Sequence, residues 1–179
     1  MSDLSSSFEY IRYAWGTSSL GEFISAWGDD GLVAFEFADR DSKALENLRN
    51  SFPMSVVVED IAGLALENAK LAHLVDHPGE DPGIPLDLRG TEFEKHVWSL
   101  LREIPAGTTV SYGDIAAKMG TRDAREVTAA IASNHIAILV PCHRVIKKDG
   151  SLSGYRWGVT RKRALLDRER SEEEFKRAS

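Results

Sequence analysis

Pro141-Cys142-His143-Arg144-Val145 sets the only cysteine of the chain beside an imidazole and a guanidinium. The thiolate is the reactive form of cysteine, and a nearby imidazole or positive charge favours it. Adjacent side chains often diverge, so the imidazole reaches the sulfur either directly or through a water. One cysteine forms no intramolecular disulfide and is too few for a thiolate zinc site. Taken alone it reads as a small buried hydrophobe, and its neighbours are what suggest chemistry. His73 and His77 stand at i, i+4 without an obvious third ligand. We expect no metal site there, and no glycine-rich phosphate loop is evident.

The elements that must position these residues fall into two groups. Tyr10–Trp15, Glu22–Trp27 and Leu32–Phe37 are rich in aromatic and β-branched residues and read as strands, with Gly28-Asp29-Asp30-Gly31 as a hairpin turn. Asp41 or Ser42 caps a helix carrying Ala44, Leu45 and Leu48 that stops before Pro53; a short strand, Val56–Val58, and a helix from Asp60 to about Asp76 follow. His77–Gly90, with Pro78, Gly79, Pro82, Gly83 and Pro85, has the composition of a linker, and we place a domain boundary there, between 1–84 and 85–179. Thr91-Glu92-Phe93-Glu94 is a capping box opening an amphipathic helix through Ile104. Helices from Tyr112 to Met119 and from Asp123 to Ser133, around Gly120, fit a helix-turn-helix or an ordinary helical hairpin. Ile136–Val140 reads as a buried extended segment, and Thr160–Arg170 as a final basic helix.

Charge divides along the same line. The net charge of −6 argues against a polyanion as partner, yet residues 1–90 carry 6 Lys+Arg against 16 Asp+Glu, and residues 91–179 carry 16 against 12. Local charge decides whether a polyanion docks, although opposite charges could also serve to pair the two halves. Ile136–Val140 is too short to span a bilayer, and Met1–Ser7 lacks the layout of a signal peptide, so we expect a polar leader and a cytoplasmic protein.

The chain resembles the O6-alkylguanine-DNA alkyltransferase family. Residues 141–145 are that family's active-site motif, joined in order by Arg89-Gly90-Thr91, Val110-Ser111-Tyr112 and Ser153-Gly154-Tyr155-Arg156-Trp157-Gly158. The resemblance implies an α/β protein: an RNase H-like N-terminal domain and a mostly helical C-terminal domain with a helix-turn-helix. It implies that Cys142 accepts the alkyl group, His143 deprotonates it through a water, Glu169 orients the imidazole and Tyr112 gives a proton toward guanine. It implies further that Asn134 holds the turn leading to the cysteine and that Arg125 enters the base stack beside Thr128. The Val145 carbonyl, Tyr155, Arg156 and Trp157 would form the guanine pocket. The partner is double-stranded DNA carrying O6-alkylguanine, with O4-methylthymine as a minor substrate. The protein would act as a monomer, once, with no cofactor and no membrane contact.

Two features depart from the family pattern. Glu126 and Thr128 stand where small residues are usual, which sets a carboxylate near phosphates. Trp157 adds bulk beside the expected pocket and would favour methyl over benzyl. No counterpart of the zinc-binding, phosphotriester-repairing part of some members is present, so neither that activity nor transcriptional regulation is expected. A lesion-binding protein without repair would have lost the cysteine, which this chain keeps. A Cys-His hydrolase would turn over repeatedly and would not retain the substrate's alkyl group.

Overall fold

The computed structural model describes residues 8–152 and 154–179; the leader expected at 1–7 and Ser153 of the loop motif lie outside the described residues. Three antiparallel strands, β1 (Glu9–Ser18), β2 (Gly21–Gly28) and β3 (Gly31–Phe37), form a meander, and β4 (Ser55–Glu59) adds parallel to β1 in the order β3-β2-β1-β4. The expected two-residue turn closes at the Gly28–Gly31 pair. Gly31 has φ +144°, and a Cβ there would stand 2.4 Å from the Pro85 carbonyl oxygen, so only glycine lets the linker dock on β3. That docking is made by Leu32 N to Pro85 O and Asp87 N to Leu32 O, each 2.9 Å.

Both faces of the sheet are covered, which is why β2 is buried along five consecutive residues instead of alternating. One face carries Ile11, Tyr13, Ile24, Val33 and Val57 and packs against Leu48 of α1 (Ala44–Ser51). The N-cap of α1 is Lys43, and the Ser42 hydroxyl still accepts from Ala44 N at 3.2 Å. The other face carries Phe23, Phe35 and Phe37 and packs against Leu71, Leu74 and Val75 of α2 (Ala65–Asp76). The expected helix start at Asp60 is corrected to Ala65. Asp60 N pairs with Tyr13 O and its carboxylate accepts from Gly63 N, so residues 61–64 turn instead.

That apolar cluster continues without a break into the second half, through Val97, Trp98, Ile131, Val140 and Leu165. The capping box is present: Thr91 accepts from Glu94 N, and Glu94 accepts from Thr91 N, at the start of α3 (Glu92–Arg102). A second capping box, Ser111 with Asp114, opens α4 (Tyr112–Met119), which ends on Gly120 at φ +70°. α5 (Ala124–Ala132) starts from Asp123, whose carboxylate accepts from Arg125 N. A short parallel pair, β5 (Val110–Ser111) with β6 (Val145–Ile146), was not expected.

Two further expectations change. Ile136–Val140 is buried but not extended: only Ile136 pairs with β3, at Phe35, and residues 137–139 turn, with Ile138 at φ +66°. A β-branched residue there costs on the order of 1–3 kcal/mol, held by the packing around it. The last helix, α6 (Val159–Ala178), is longer than Thr160–Arg170 because Ser171–Ala178 continues it, with an ion pair between Glu173 and Lys176. Its buried stripe is Lys162, Leu165, Leu166 and Glu169, one helical face on which two positions are charged. Among the described residues no helix is long and apolar enough to cross a membrane.

Candidate functional site

Cys142, His143 and Arg144 form a single 3-10 turn, all three buried, between the 134–141 segment and β6. Asn134 shapes the approach to it. Its Oδ1 accepts from Ile136 N at 2.9 Å, and its Nδ2 donates to Ile136 O at 3.1 Å and Val140 O at 3.0 Å. The same Nδ2 lies 3.3 Å from Cys142 Sγ. One buried amide thus closes the turn that contains the strained Ile138 and also touches the sulfur.

The imidazole of His143 is fully buried, with Nε2 2.6 Å from Glu169 Oε1. Arg144 comes to the same carboxylate, Nε 3.1 Å from both oxygens and Nη2 2.8 Å from Oε1, while its Nη1 donates to Ile104 O at 2.7 Å. Burial pushes the Glu169 carboxyl up, but the bonds and charges of His143 and Arg144 outweigh it and hold it below the usual carboxylate range. An ionised carboxylate only accepts, so Nε2 of His143 carries the proton and Nδ1 keeps its lone pair. Nδ1 is buried and has no hydrogen-bond partner among the described residues. Burial also lowers the His143 pKa, more than Glu169 raises it, so the ring is neutral at pH 7.

Burial pushes the Cys142 thiol up to about 11, against partial relief from the Asn134 bond and the charges of Lys162 and Arg156. Lys162, buried on α6, donates from Nζ to Val145 O at 2.5 Å, so the carbonyl expected to line the pocket already holds an ammonium on one side. Tyr155 is buried, its ring 6.5 Å from that of His143 and its hydroxyl without a partner among the described residues. Trp157 packs on Tyr155 at 5.3 Å and on Phe37 of β3 at 6.4 Å, ring centre to ring centre. Tyr112 opens α4, half-buried, and a Cβ at Gly154 would lie 3.4 Å from its hydroxyl. Burial and the neighbouring Cys142 raise its pKa, which keeps the phenol protonated.

The structure therefore brings Cys142, His143, Glu169 and Asn134 into one buried array, with Tyr112, Val145, Tyr155, Arg156 and Trp157 around it. Arg125 and Thr128 stand apart on the exposed face of α5. Arg125 is 93% exposed and touches Asp123, and the Thr128 hydroxyl donates to Ala124 O. Glu126 is exposed beside them. Sequence reasoning missed Arg144 and Lys162. Arg144 lay inside the motif without a role, and Lys162 stands seven residues before Glu169, on the same face of a helix. Of the two readings of the charge split, pairing of the halves is seen at Glu36 with Arg156 and Asp76 with Arg168, while Glu9 with Arg89 lies within residues 1–90 and Arg125 is exposed on α5 beside Asp123. His73 and His77 are surface residues bonded to Glu80 and Glu172, and among the described residues no group of three or more His, Cys, Asp or Glu could hold a metal ion.

Residues 92–171 match the family described as 6-O-methylguanine DNA methyltransferase, DNA binding domain. The chain is 40% identical over 176 residues to the bifunctional transcriptional activator/DNA repair enzyme Ada of Escherichia coli K12, covering 92% of this chain and 47% of that protein, so it spans about half of that relative's length. It is 41% identical to the inducible methylated-DNA–protein-cysteine methyltransferase of Bacillus subtilis 168, over 78% of this chain and 79% of that protein. Among solved structures, Mycobacterium tuberculosis OGT in complex with DNA superimposes with a TM-score of 0.70 at 35% identity, covering 90% of this chain and 93% of that one.

Proposed function

The chain belongs to the 6-O-methylguanine DNA methyltransferase family, and on that premise we propose that it repairs DNA by moving the alkyl group of an O6-alkylguanine, once and irreversibly, onto Cys142. The observation that carries this reading is the buried array in which Asn134 touches the sulfur and an ionised Glu169 sets the lone pair of His143 on Nδ1. The damaged atom is shielded inside a duplex, so the nucleotide is extruded at a cost of roughly a few kcal/mol. The thiol proton passes to His143 Nδ1, directly or through a water. Sγ then attacks the alkyl carbon, the S–C bond forms as the C–O6 bond breaks, and the electron pair leaves on guanine. A proton from Tyr112 makes guanine the better leaving group, and the proton held by His143 returns, through water, to restore the phenol. The thioether has no activated bond for water to attack, so the cysteine is spent after one event. Bonds, electron pair and protons are all accounted for by Cys142, His143, Tyr112 and the damaged base.

The remaining roles follow the same reading. α4, Gly120 and α5 act as a helix-turn-helix, with Arg125 filling the gap in the stack and Thr128 beside the backbone. Val145 O, Tyr155, Arg156 and Trp157 receive the base. Residues 1–84 form an RNase H-like domain that supports the catalytic and DNA-binding domain at 85–179. The protein works as a monomer on double-stranded DNA in the cytoplasm, with O4-methylthymine as the lesser substrate. The test is intact mass after mixing with a duplex containing one O6-methylguanine. A single gain of about 14 Da, located on the peptide holding Cys142 and absent in Cys142→Ser, is the expected result. Bound DNA with an intact lesion and no gain in mass refutes it.

A further inference from the structure

We propose that Glu36, on the edge strand of the N-terminal sheet, is a positioning residue of the alkyl-transfer site: through Arg156 it fixes the loop that sets Tyr155 against His143. Glu36 and Arg156 are 120 positions apart in the chain and meet at 2.9 Å, Arg156 Nη2 to Glu36 Oε1. The carboxylate is only 15% exposed, and His135 Nδ1 faces it at 3.8 Å. The other end of the guanidinium, Nη1, donates to Ala132 O at 3.3 Å, at the C-terminal end of α5. Its carbon also lies 5.9 Å from the Trp157 ring centre. One guanidinium thus ties together the sheet, the end of α5 and the substrate loop.

The next residue of β3 repeats the grip. The Phe37 ring meets Trp157, and Arg161 lies over Phe37 at 5.1 Å while donating from Nη1 to Trp157 O at 3.0 Å and from Nε to Leu20 O at 2.8 Å. Tyr155 immediately precedes these anchors in the chain, and its ring borders both Trp157 and His143. The Arg156 charge also reaches Cys142, where it favours the thiolate. Without the Glu36 charge, Arg156 keeps only its long bond to Ala132 and the face of Trp157, and is held less firmly against turning toward solvent. The charge left behind, Arg156, is 36% exposed and stays in contact with water, so removing the Glu36 charge costs little stability. A displacement of about 1 Å in groups that position a substrate costs far more in rate, on the order of a hundredfold at the extreme. The signature is therefore a slow protein that is still well folded.

This inference rests on the alkyl-transfer reading above. Its test is the single-turnover rate constant, followed by intact mass at saturating O6-methylguanine duplex, for the parent, Glu36→Gln, Arg156→Gln and the double variant. Each single change is expected to slow transfer roughly tenfold, and the double variant to be no slower than the slower single, because both break one link. Glu36→Asp, one methylene shorter, should fall between the parent and Glu36→Gln. Unfolding midpoints and the affinity for undamaged duplex should stay near the parent's, a combination that a purely structural role would not produce. Glu36→Gln at the parent's rate, or effects that multiply in the double variant, would overturn the proposal. A parent protein that gains no mass overturns the alkyl-transfer reading and this inference with it, so the two failures are told apart.

Discussion

Replacing Glu169 by Gln separates what its carboxylate does for the fold from what it does for the chemistry. Glu169 is fully buried and accepts from His143 Nε2, Arg144 Nε and Arg144 Nη2. The isosteric amide keeps the volume and removes the charge. Arg144, itself buried, is then left with neutral acceptors alone, among them the carbonyls of Ile104 and Pro78. A buried cation that loses its counter-charge typically costs about 3–5 kcal/mol. In a protein of this size each kcal/mol moves the midpoint of thermal unfolding by roughly 2–4 °C, so a drop on the order of 6–20 °C is expected. The amide also presents N–H groups to the imidazole. Where one of them faces Nε2, the ring proton moves to Nδ1 and the base is lost. Alkyl transfer should fall at least roughly a hundredfold, the usual worth of a general base. Urea unfolding followed by tryptophan fluorescence reads the first effect, and single-turnover mass spectrometry at a temperature where the variant is folded reads the second. Arg144→Met combined with Glu169→Gln removes both charges, and should recover most of the stability and none of the rate. Glu169→Gln within about 1 kcal/mol of the parent, or a double variant as unstable as the sum of the singles, would show that the carboxylate is not the counter-charge of a buried guanidinium.

Acid should destabilise the protein in two stages. Burial depresses His143, so the unfolded chain takes up its proton first and stability falls as pH drops below about 6.5; Glu169, held low, adds a further loss as pH falls below about 4.3. Chemical denaturation across that range checks this, and His143→Gln should remove the first stage only. At the alkaline end the sign reverses in cause. The Cys142 thiol is raised from 9.0 to about 11 by burial, so the unfolded thiol ionises first and roughly 3 kcal/mol is lost between pH 9 and 11, a loss that Cys142→Ser should not show. Asn134→Ala leaves Ile136 N and Val140 O without their side-chain partner and should cost roughly 3 kcal/mol in urea unfolding; an effect below 1 kcal/mol would mean that the turn at Ile138 is held by packing alone. Glu126→Ala, on the exposed face of α5, should tighten duplex binding at low salt, with the gain shrinking as salt rises; equal affinity across a salt titration would count against a phosphate-facing Glu126.

What was legible in the sequence is what short-range physics writes there. The strands, the Gly28–Gly31 turn, the Thr91 capping box and the Gly120 stop are set by neighbours within a few residues. Cys142 and His143 were legible as a motif. The start of α2 was misjudged because Asp60 answers to Tyr13, 47 positions away, before it answers to its own helix. The shape of residues 136–140 was misjudged for the same reason: an apolar run shows burial, while its direction is fixed by Asn134 and Phe35. The charged half of the site was the least visible. Lys162 and Glu169 interrupt the apolar stripe of α6, so a hydrophobic pattern reads them as solvent-facing when they are as buried as Leu165 between them. Glu36 likewise sits between two core phenylalanines and gives no local sign that it pairs with Arg156.

The resting charge state is where the site departs most from its sequence. Cys-His-Arg reads as a recipe for a thiolate, since imidazole and guanidinium both favour it. In the folded protein the guanidinium of Arg144 is taken up by Glu169, and the imidazole is buried until it is neutral. The thiol, raised to about 11, therefore stays protonated at pH 7. A free thiolate would react with any passing electrophile, and a protein that spends its cysteine once would be consumed by the wrong one. On the alkyl-transfer proposal a buried neutral pair avoids that loss, since the thiol proton is handed to His143 only when a base is seated for attack and its charge can be passed on to the departing guanine. If the base is received as proposed, the same burial that slows adventitious alkylation makes the reaction depend on a leaving group seated against Tyr112 and Tyr155, and on the loop that Arg156 ties to the sheet. Selectivity for a damaged base follows from that dependence more than from the nucleophile itself.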